Sequence, residues 1–308
     1  MKIKNKMNCI TIKSYGKPEN LLFRKENIPD INENEVLIEV HASGVNRPDV
    51  LQRKGLYAAP VGASKILGLE VSGKIVKLGN KVKHLKLNQK VCALTHGGGY
   101  AEYCNVYSKH VLPIPKRMDF FHAAAIPENF FTVWYNLFDR GKIKSGETLL
   151  IHGGSSGIGT IAIQLAKHHG CKVITTVGNK NKQTFCKKLG ADLVINYKES
   201  DFFKITKEYT NNSGVNVVLD MVGQKYFSKN ISILKDQGRL IMIAFLSGSL
   251  TKADLTQVMT KRLILTGSTL RPRTNQEKSR IAKNLYKRYW TALTKKTIKP
   301  IIFKTYDL

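Results

Sequence analysis

The chain has 308 residues, 42% of them hydrophobic, a length that predicts two domains and a composition that excludes disorder as its main state. Its 50 Lys and Arg against 22 Asp and Glu give a formal net charge of +28, but these lysines are spread along the chain among Asn and Ile, which predicts a generally basic, solvated surface and no dense nucleic-acid stripe. No apolar stretch is long enough for a membrane span, Met1 to Tyr15 holds no signal-peptide core, and Cys9, Cys92, Cys104, Cys171 and Cys186 form no CxxC pair, so a cytoplasmic protein with reduced thiols is expected.

The first third reads as short strands with turn punctuation: Asn8 to Ile12, Leu21 to Arg24, Val36 to Ala42, Val71 to Leu78, Lys90 to Ala93 and Tyr100 to Val106. From Asp119 to Arg140 the period turns helical, with Phe121, Ala125, Trp134 and Leu137 among the apolar positions. From Thr148 onward apolar strands alternate with helices: Leu149 to His152, Lys172 to Val177, Asp192 to Ile195, Val215 to Met221, Arg239 to Ala244 and Leu263 to Thr266. Strands alternating with helical crossovers predict an α/β fold with a doubly wound parallel sheet. A basic connection through Arg271 and Arg273 then leads to a helix over Gln276 to Trp290, and Ile301 to Leu308 reads as a strand-like run.

The most informative stretch is Leu149-Leu150-Ile151-His152-Gly153-Gly154-Ser155-Ser156-Gly157-Ile158-Gly159, an apolar strand that turns on glycines into an amphipathic helix. The first N–H groups of a helix have no intrahelical partner and share the positive end of the helix dipole, so such a corner binds phosphate with no cationic side chain. The dinucleotide fingerprint falls on Gly154, Ser156 and Gly159, with serine at the middle position and Gly153 and Gly157 flanking. A strand before it, a helix after it and a second strand at Lys172 to Val177 complete the unit. That second strand continues Gly178-Asn179-Lys180-Asn181-Lys182 with no acid. An NAD site needs a carboxylate there for the ribose 2′-hydroxyl, so its absence favours NADPH over NADH.

Ordered motifs along essentially the whole chain resemble the zinc-independent quinone oxidoreductase (zeta-crystallin) branch of the medium-chain dehydrogenase/reductases, most nearly its tumour-suppressor-inducible type. They are Pro18-Glu19-Asn20-Leu21, Asn46-Arg47-Pro48-Asp49, Gln52-Arg53-Lys54-Gly55-Leu56-Tyr57, Ile66-Leu67-Gly68-Leu69-Glu70, Ala123-Ala124-Ala125-Ile126-Pro127-Glu128, the glycine turn, Leu189-Gly190-Ala191, Asn196-Tyr197-Lys198 and Leu270-Arg271. The resemblance implies a GroES-like, β-rich catalytic domain over 1–125, to which 269–308 returns, and a Rossmann NADP-binding domain over 126–268. Zinc-dependent relatives need Cys, His and a third ligand. Here Asn46 stands at the cysteine position, Gly68-Leu69-Glu70 replaces Gly-His-Glu, and Gly97-Gly98-Gly99 runs straight into Tyr100, so no metal is expected.

A quinone is already electrophilic, and its reduced anion is delocalised and weakly basic, so positioning with modest hydrogen bonding suffices without zinc. The resemblance implies Tyr57 as the donor in the substrate cleft and Asn46 beside it on the nicotinamide side; a turn tyrosine and a helix cap are the structural alternatives. It implies Thr132 near the nicotinamide ribose and phosphate, and Ser156, Gly157 and Ile158 in the pyrophosphate turn. It further implies Gly178, Lys182 and Tyr197 at the 2′-phosphate, Phe245 beyond the fifth strand, and Leu270 and Arg271 on the nicotinamide side. The expected activity is NADPH-dependent reduction of a quinone by a homodimer paired through Leu263 to Gly267. Reduction of an activated alkene is the alternative, and RNA binding by a catalytically vestigial crystallin-like protein ranks below both. Family members continue beyond the position of Leu308 with a helix and a strand, which implies exposed apolar surface and impaired activity for the chain as it stands.

Overall fold

The computed structural model describes residues 5–308 and divides the chain into two compact units. One takes the chain up to Phe131 and again from Arg271 to Leu308; the other is Thr132–Leu270.

In the first unit β1 (Lys6–Ile12) and β2 (Leu21–Asn27) form an antiparallel ribbon. The main sheet has five antiparallel strands in the order β6-β3-β4-β5-β7: β3 (Glu35–Ser43), β4 (Glu70–Leu78), β5 (Lys90–Leu94), β6 (Tyr103–Tyr107) and β7 (Val111–Pro113). Their period-2 alternation puts Val36, Ile38, Val71, Ile75, Val91, Ala93, Cys104 and Val106 into one core. Helix α1 (Arg47–Arg53) follows β3, and α2 (Phe120–Ala124) starts where the Asp119 side chain accepts the His122 N–H at 2.8 Å.

The helical period from Asp119 is not one helix. Pro127 disfavours helical backbone at Ile126 and ends α2; α3 (Pro127–Val133) restarts with proline in its first position and runs on into a π-helical turn, Trp134–Arg140. The last helix, α9 (Asn275–Thr294), opens on a capping box between Thr274 and Glu277 and buries Ile281, Leu285, Tyr289 and Leu293. Its Trp290 Nε1 donates to the Pro113 carbonyl at 2.8 Å. Residues 301–308 form no strand. An extended run stays out of a sheet when no strand edge pairs with its backbone, and Phe303 is fully exposed. The strand expected from Tyr100 begins at Tyr103, because the Tyr100 backbone bonds Leu67 and Ile10 instead.

In the second unit six strands lie parallel in the order β10-β9-β8-β11-β12-β13. They are β8 (Thr148–His152), β9 (Lys172–Val177), β10 (Leu193–Asn196), β11 (Val215–Asp220), β12 (Leu234–Met242) and β13 (Ile264–Gly267). The crossovers are α4 (Gly157–His168), α5 (Lys180–Lys188), α6 (Phe202–Tyr209), α7 (Phe227–Ile233) and α8 (Thr256–Thr260). This is the doubly wound Rossmann arrangement, and strand order reverses between β8 and β11. Ligands of such sheets bind beyond the carboxyl ends of the strands at that reversal, and the glycine turn leaves β8 there.

Candidate functional site in two parts

The glycine turn belongs to the second unit. Gly153 sits at φ +75°, a backbone conformation that other side chains rarely adopt, and turns the chain off β8. A Cβ on Gly154 would drive into the Thr175 side chain of β9, and one on Gly159 into the backbone of Gly153 and Gly154, so these positions allow the turn to close on the sheet. Ser156 is the N-cap of α4: its hydroxyl accepts the Gly159 N–H at 3.0 Å. That leaves Gly157 and Ile158 as the first two helical residues, whose N–H groups have no partner within the helix. A cradle of bare amides, shaped by glycines and free of acidic side chains, suits a pyrophosphate.

At the end of β9, Asn179 caps α5 by accepting the Lys182 N–H at 2.9 Å, so Lys180 and Lys182 both lie in the first turn with exposed side chains. Gly178 lies against the half-exposed Tyr197, whose hydroxyl a Cβ there would meet. Phe245 is exposed just beyond β12, and the two residues after it bond the loop that follows β11, Leu246 N–H to Met221 O at 3.0 Å and Ser247 N–H to Val222 O at 2.9 Å. Thr132 accepts the Asn136 side-chain amide on its carbonyl at 2.9 Å, and Leu270, buried, ends the unit.

Two buried groups that sequence reasoning missed hold this corner. Asp220 accepts the N–H groups of Val222 and Gly223, 2.8 and 3.1 Å, and burial raises its carboxyl above the usual range. His152 bridges Thr176 Oγ1 at 3.1 Å and Asn230 Oδ1 at 2.8 Å, and burial pushes it down to about 4, so it is neutral. Both end strands at their carboxyl tips, the position that signals a site in a parallel sheet.

The second part lies in the first unit. Asn46 precedes α1, and its backbone N–H donates to Asp49 Oδ2 at 2.9 Å. Its side-chain amide donates to Glu70 Oε1 at 2.7 Å, while Glu70 Oε2 accepts the Glu128 N–H at 2.8 Å. Gly44 makes this possible, since a Cβ there would overlap the Glu70 carboxylate. Asp49, buried beside it, also accepts from Gly68 N–H at 3.2 Å and Tyr100 Oη at 3.1 Å. Burial pushes Glu70 up to about 7; burial and the neighbouring Glu70 push Glu128 up to about 8. The two carboxyls titrate as a coupled pair, both held above the usual carboxylate range.

Tyr57 is half-buried, with its phenol raised by burial and by Glu128 and lowered by Arg271, whose guanidinium lies 5.8 Å from the ring centroid. Arg271 itself is buried in this unit and donates to the His96 carbonyl and to Gln52 Oε1. Of the residues expected at the site, Asn46, Tyr57 and Arg271 thus belong to one polar cluster of the first unit, and Gly154, Ser156, Gly157, Ile158, Gly159, Gly178, Lys182, Tyr197 and Phe245 lie at or beyond the carboxyl ends of the strands of the second.

The residues 32–116 match the alcohol dehydrogenase GroES-like domain family, and 157–285 the zinc-binding dehydrogenase family. The human quinone oxidoreductase is 30% identical over 304 residues, spanning 98% of this chain and 91% of that protein. The chain belongs to the quinone oxidoreductase branch of the medium-chain dehydrogenase/reductase family. Within it, quinone oxidoreductase 1 of Escherichia coli K12 is 35% identical over 80% of this chain and 75% of its own. Among solved structures, the Escherichia coli quinone oxidoreductase complexed with NADPH superposes with a TM-score of 0.81 at 30% identity, over 96% of this chain and 90% of that one. The CurK enoyl reductase superposes at 0.85 with 26% identity, over 98% and 92%.

The zinc in one family's description does not fit this donor set. The amide of Asn46 is engaged by Glu70, Leu69 is buried and apolar, and among the described residues no group of three His, Cys, Asp or Glu is placed to hold a metal ion.

Proposed function

We propose that this chain reduces quinones with NADPH, by hydride transfer without a metal. The observation that carries the reading is the corner after β8: two helix-start amides without partners, Gly157 and Ile158, at the strand-order reversal, followed by a β9 end that offers no carboxylate. The fit of these residues to a diphosphate, and the relative solved with NADPH, support it. Gly154, Ser156, Gly157, Ile158 and Gly159 would hold the pyrophosphate. Gly178, Lys182 and Tyr197 would take the 2′-phosphate, with Lys182 supplying charge. Thr132, Phe245, Leu270, Arg271 and Asn46 would bound the nicotinamide half.

Bound NADPH would supply two electrons and one hydrogen as hydride. The chain's own part is then to orient the acceptor and to handle one proton. Tyr57 donates it to the oxygen that gains charge, and solvent returns it. A delocalised hydroquinone anion is far less basic than an alkoxide, so a phenol donor meets the need that zinc meets elsewhere.

The same parts suit an activated alkene, where hydride addition gives an enolate, and the similarity to an enoyl reductase favours this as the second reading. A homodimer through β13 is supported by the exposed Ile264 on that edge strand and by the exposed Leu255 and Met259 at α8, which leads into it. The five buried, unpaired cysteines support a reducing, cytoplasmic location. Titration with NADPH and NADH, followed by nucleotide fluorescence, tests the reading: tight NADPH and weak NADH binding are expected, and binding of neither would overturn it. Turnover of a quinone panel against an enone panel then separates the two substrates.

A further inference from the structure

We propose that Lys278, outside the chemistry described above, is the positioning residue that holds Arg271 against Tyr57. This rests on the reading of Tyr57 as proton donor.

Lys278 stands in the first turn of α9 and is 1% exposed. Its ammonium donates to the Arg271 carbonyl at 2.6 Å and reaches His96 Nε2 at 3.1 Å. Arg271 in turn donates Nη2 and Nε to the His96 carbonyl, 2.7 and 3.2 Å, and Nη1 to Gln52 Oε1 at 2.6 Å. His96 is therefore gripped at its ring by the lysine and at its backbone by the arginine, while the lysine also fixes the arginine's own backbone. Three chain segments close into one ring of hydrogen bonds, and its outer face is the guanidinium over Tyr57. Gly97, at φ +135°, keeps this space open: a Cβ there would crowd Arg271 Nη2.

A purely structural role explains this poorly. Neither Lys278 nor Arg271 forms an ion pair with a carboxylate among the described residues. An unpaired buried ammonium is costly, and a methionine at this place on α9 would fill similar volume without that cost. Both partners that the ammonium does have belong to the Arg271 clamp. His96 is suited to receive it: burial, with Lys278 and Arg271 nearby, pushes the ring down to about 4, leaving a neutral imidazole with a lone pair. The charged and titratable groups facing Lys278 are Glu128 from α3, Arg271 and Arg273 from the connection, Glu277 on its own helix, and His96 and His110. Burial, opposed by Glu128, brings the ammonium down to about 8.

The test uses the full chain with NADPH and a quinone, and compares Lys278→Met, Lys278→Arg and Gln52→Met with Tyr57→Phe. Lys278→Met is expected to lose about tenfold or more in kcat with KM changed less than about threefold, since only an interaction used in the reacting state is removed. Gln52→Met, a milder cut at the same clamp, is expected to lose about threefold. Wild-type kcat is expected to fall above about pH 8 as Lys278 loses its proton, and Lys278→Arg, which stays charged, to shift that limb upward. Lys278→Met and Gln52→Met with wild-type kcat at every pH, beside an impaired Tyr57→Phe, would overturn the positioning role alone. A fully active Tyr57→Phe would overturn the donor reading and this proposal with it. If Lys278→Met does not fold, the pH limb of Lys278→Arg and the kcat of Gln52→Met decide.

Discussion

Asn46 Nδ2 lies 2.7 Å from Glu70 Oε1 and donates a hydrogen bond to this buried carboxyl. Each Glu70 oxygen accepts one donor, Oε1 the Asn46 amide and Oε2 the Glu128 N–H. Asn46→Asp removes the donor and brings a second carboxylate against the first. It is expected to cost about 2 to 3 kcal/mol, read as a lower melting temperature, whereas Asn46→Gln retains the donor type and loses less.

The raised Glu128 carboxyl gives a pH dependence with a definite sign. A carboxyl whose folded value lies above its unfolded one favours the folded state while protonated. Its contribution is present below about pH 4.5 and is lost as pH rises through about 8. Wild-type melting temperature is expected to decline over that window, and Glu128→Gln to flatten the decline. An unchanged slope in the variant would show that the proton resides elsewhere.

How much of this was legible in the sequence depends on whether the signal is local. The doubly wound parallel sheet followed from the glycine turn and the alternation of strands with helices, because each βα unit writes its own pattern and its right-handed crossover restricts the topology. The glycine turn from β8 into α4 was legible for the same reason. Glu70 and Glu128 were visible only as members of longer motifs, with no role assigned, and His96 and Lys278 not at all. Each is polar at a position that reads as ordinary surface or strand, and each acquires meaning from partners distant in the chain, such as Lys278 and His96 from segments that meet only in the folded unit. The run at 301–308 failed in the opposite way: alternation predicts a strand, but a strand exists only where a neighbour supplies hydrogen bonds.

The nucleotide corner yields a selective pair of variants. Lys182→Ala is expected to weaken NADPH binding by about tenfold and leave NADH binding within about twofold, because only the 2′-phosphate would use that charge. Gly159→Ala, whose Cβ would meet the Gly153 carbonyl, is expected to weaken both nucleotides together. Fluorescence titration reads all four affinities.

Away from the site, Arg239 pairs with Glu147 at 2.6 Å, both side chains largely covered, and also donates to the Gly141 carbonyl at 2.9 Å. Burial alone would raise the Glu147 carboxyl, but the Arg239 hydrogen bonds hold it below the usual range. This contribution is present above the unfolded carboxylate value and is lost as pH falls through the lowered one. Arg239→Met is expected to cost about 2 kcal/mol near neutrality and progressively less in acid, as read by denaturant melts over pH.

Hydride transfer from NADPH to a quinone by this chain is expected to need no metal ion. The most direct test is the rate of NADPH oxidation by protein exhaustively treated with a strong chelator, measured with a quinone and followed by added zinc. Full activity after chelation, indifferent to zinc and lost in Tyr57→Phe, is the expected result; activity abolished by the chelator and restored by zinc would contradict the account.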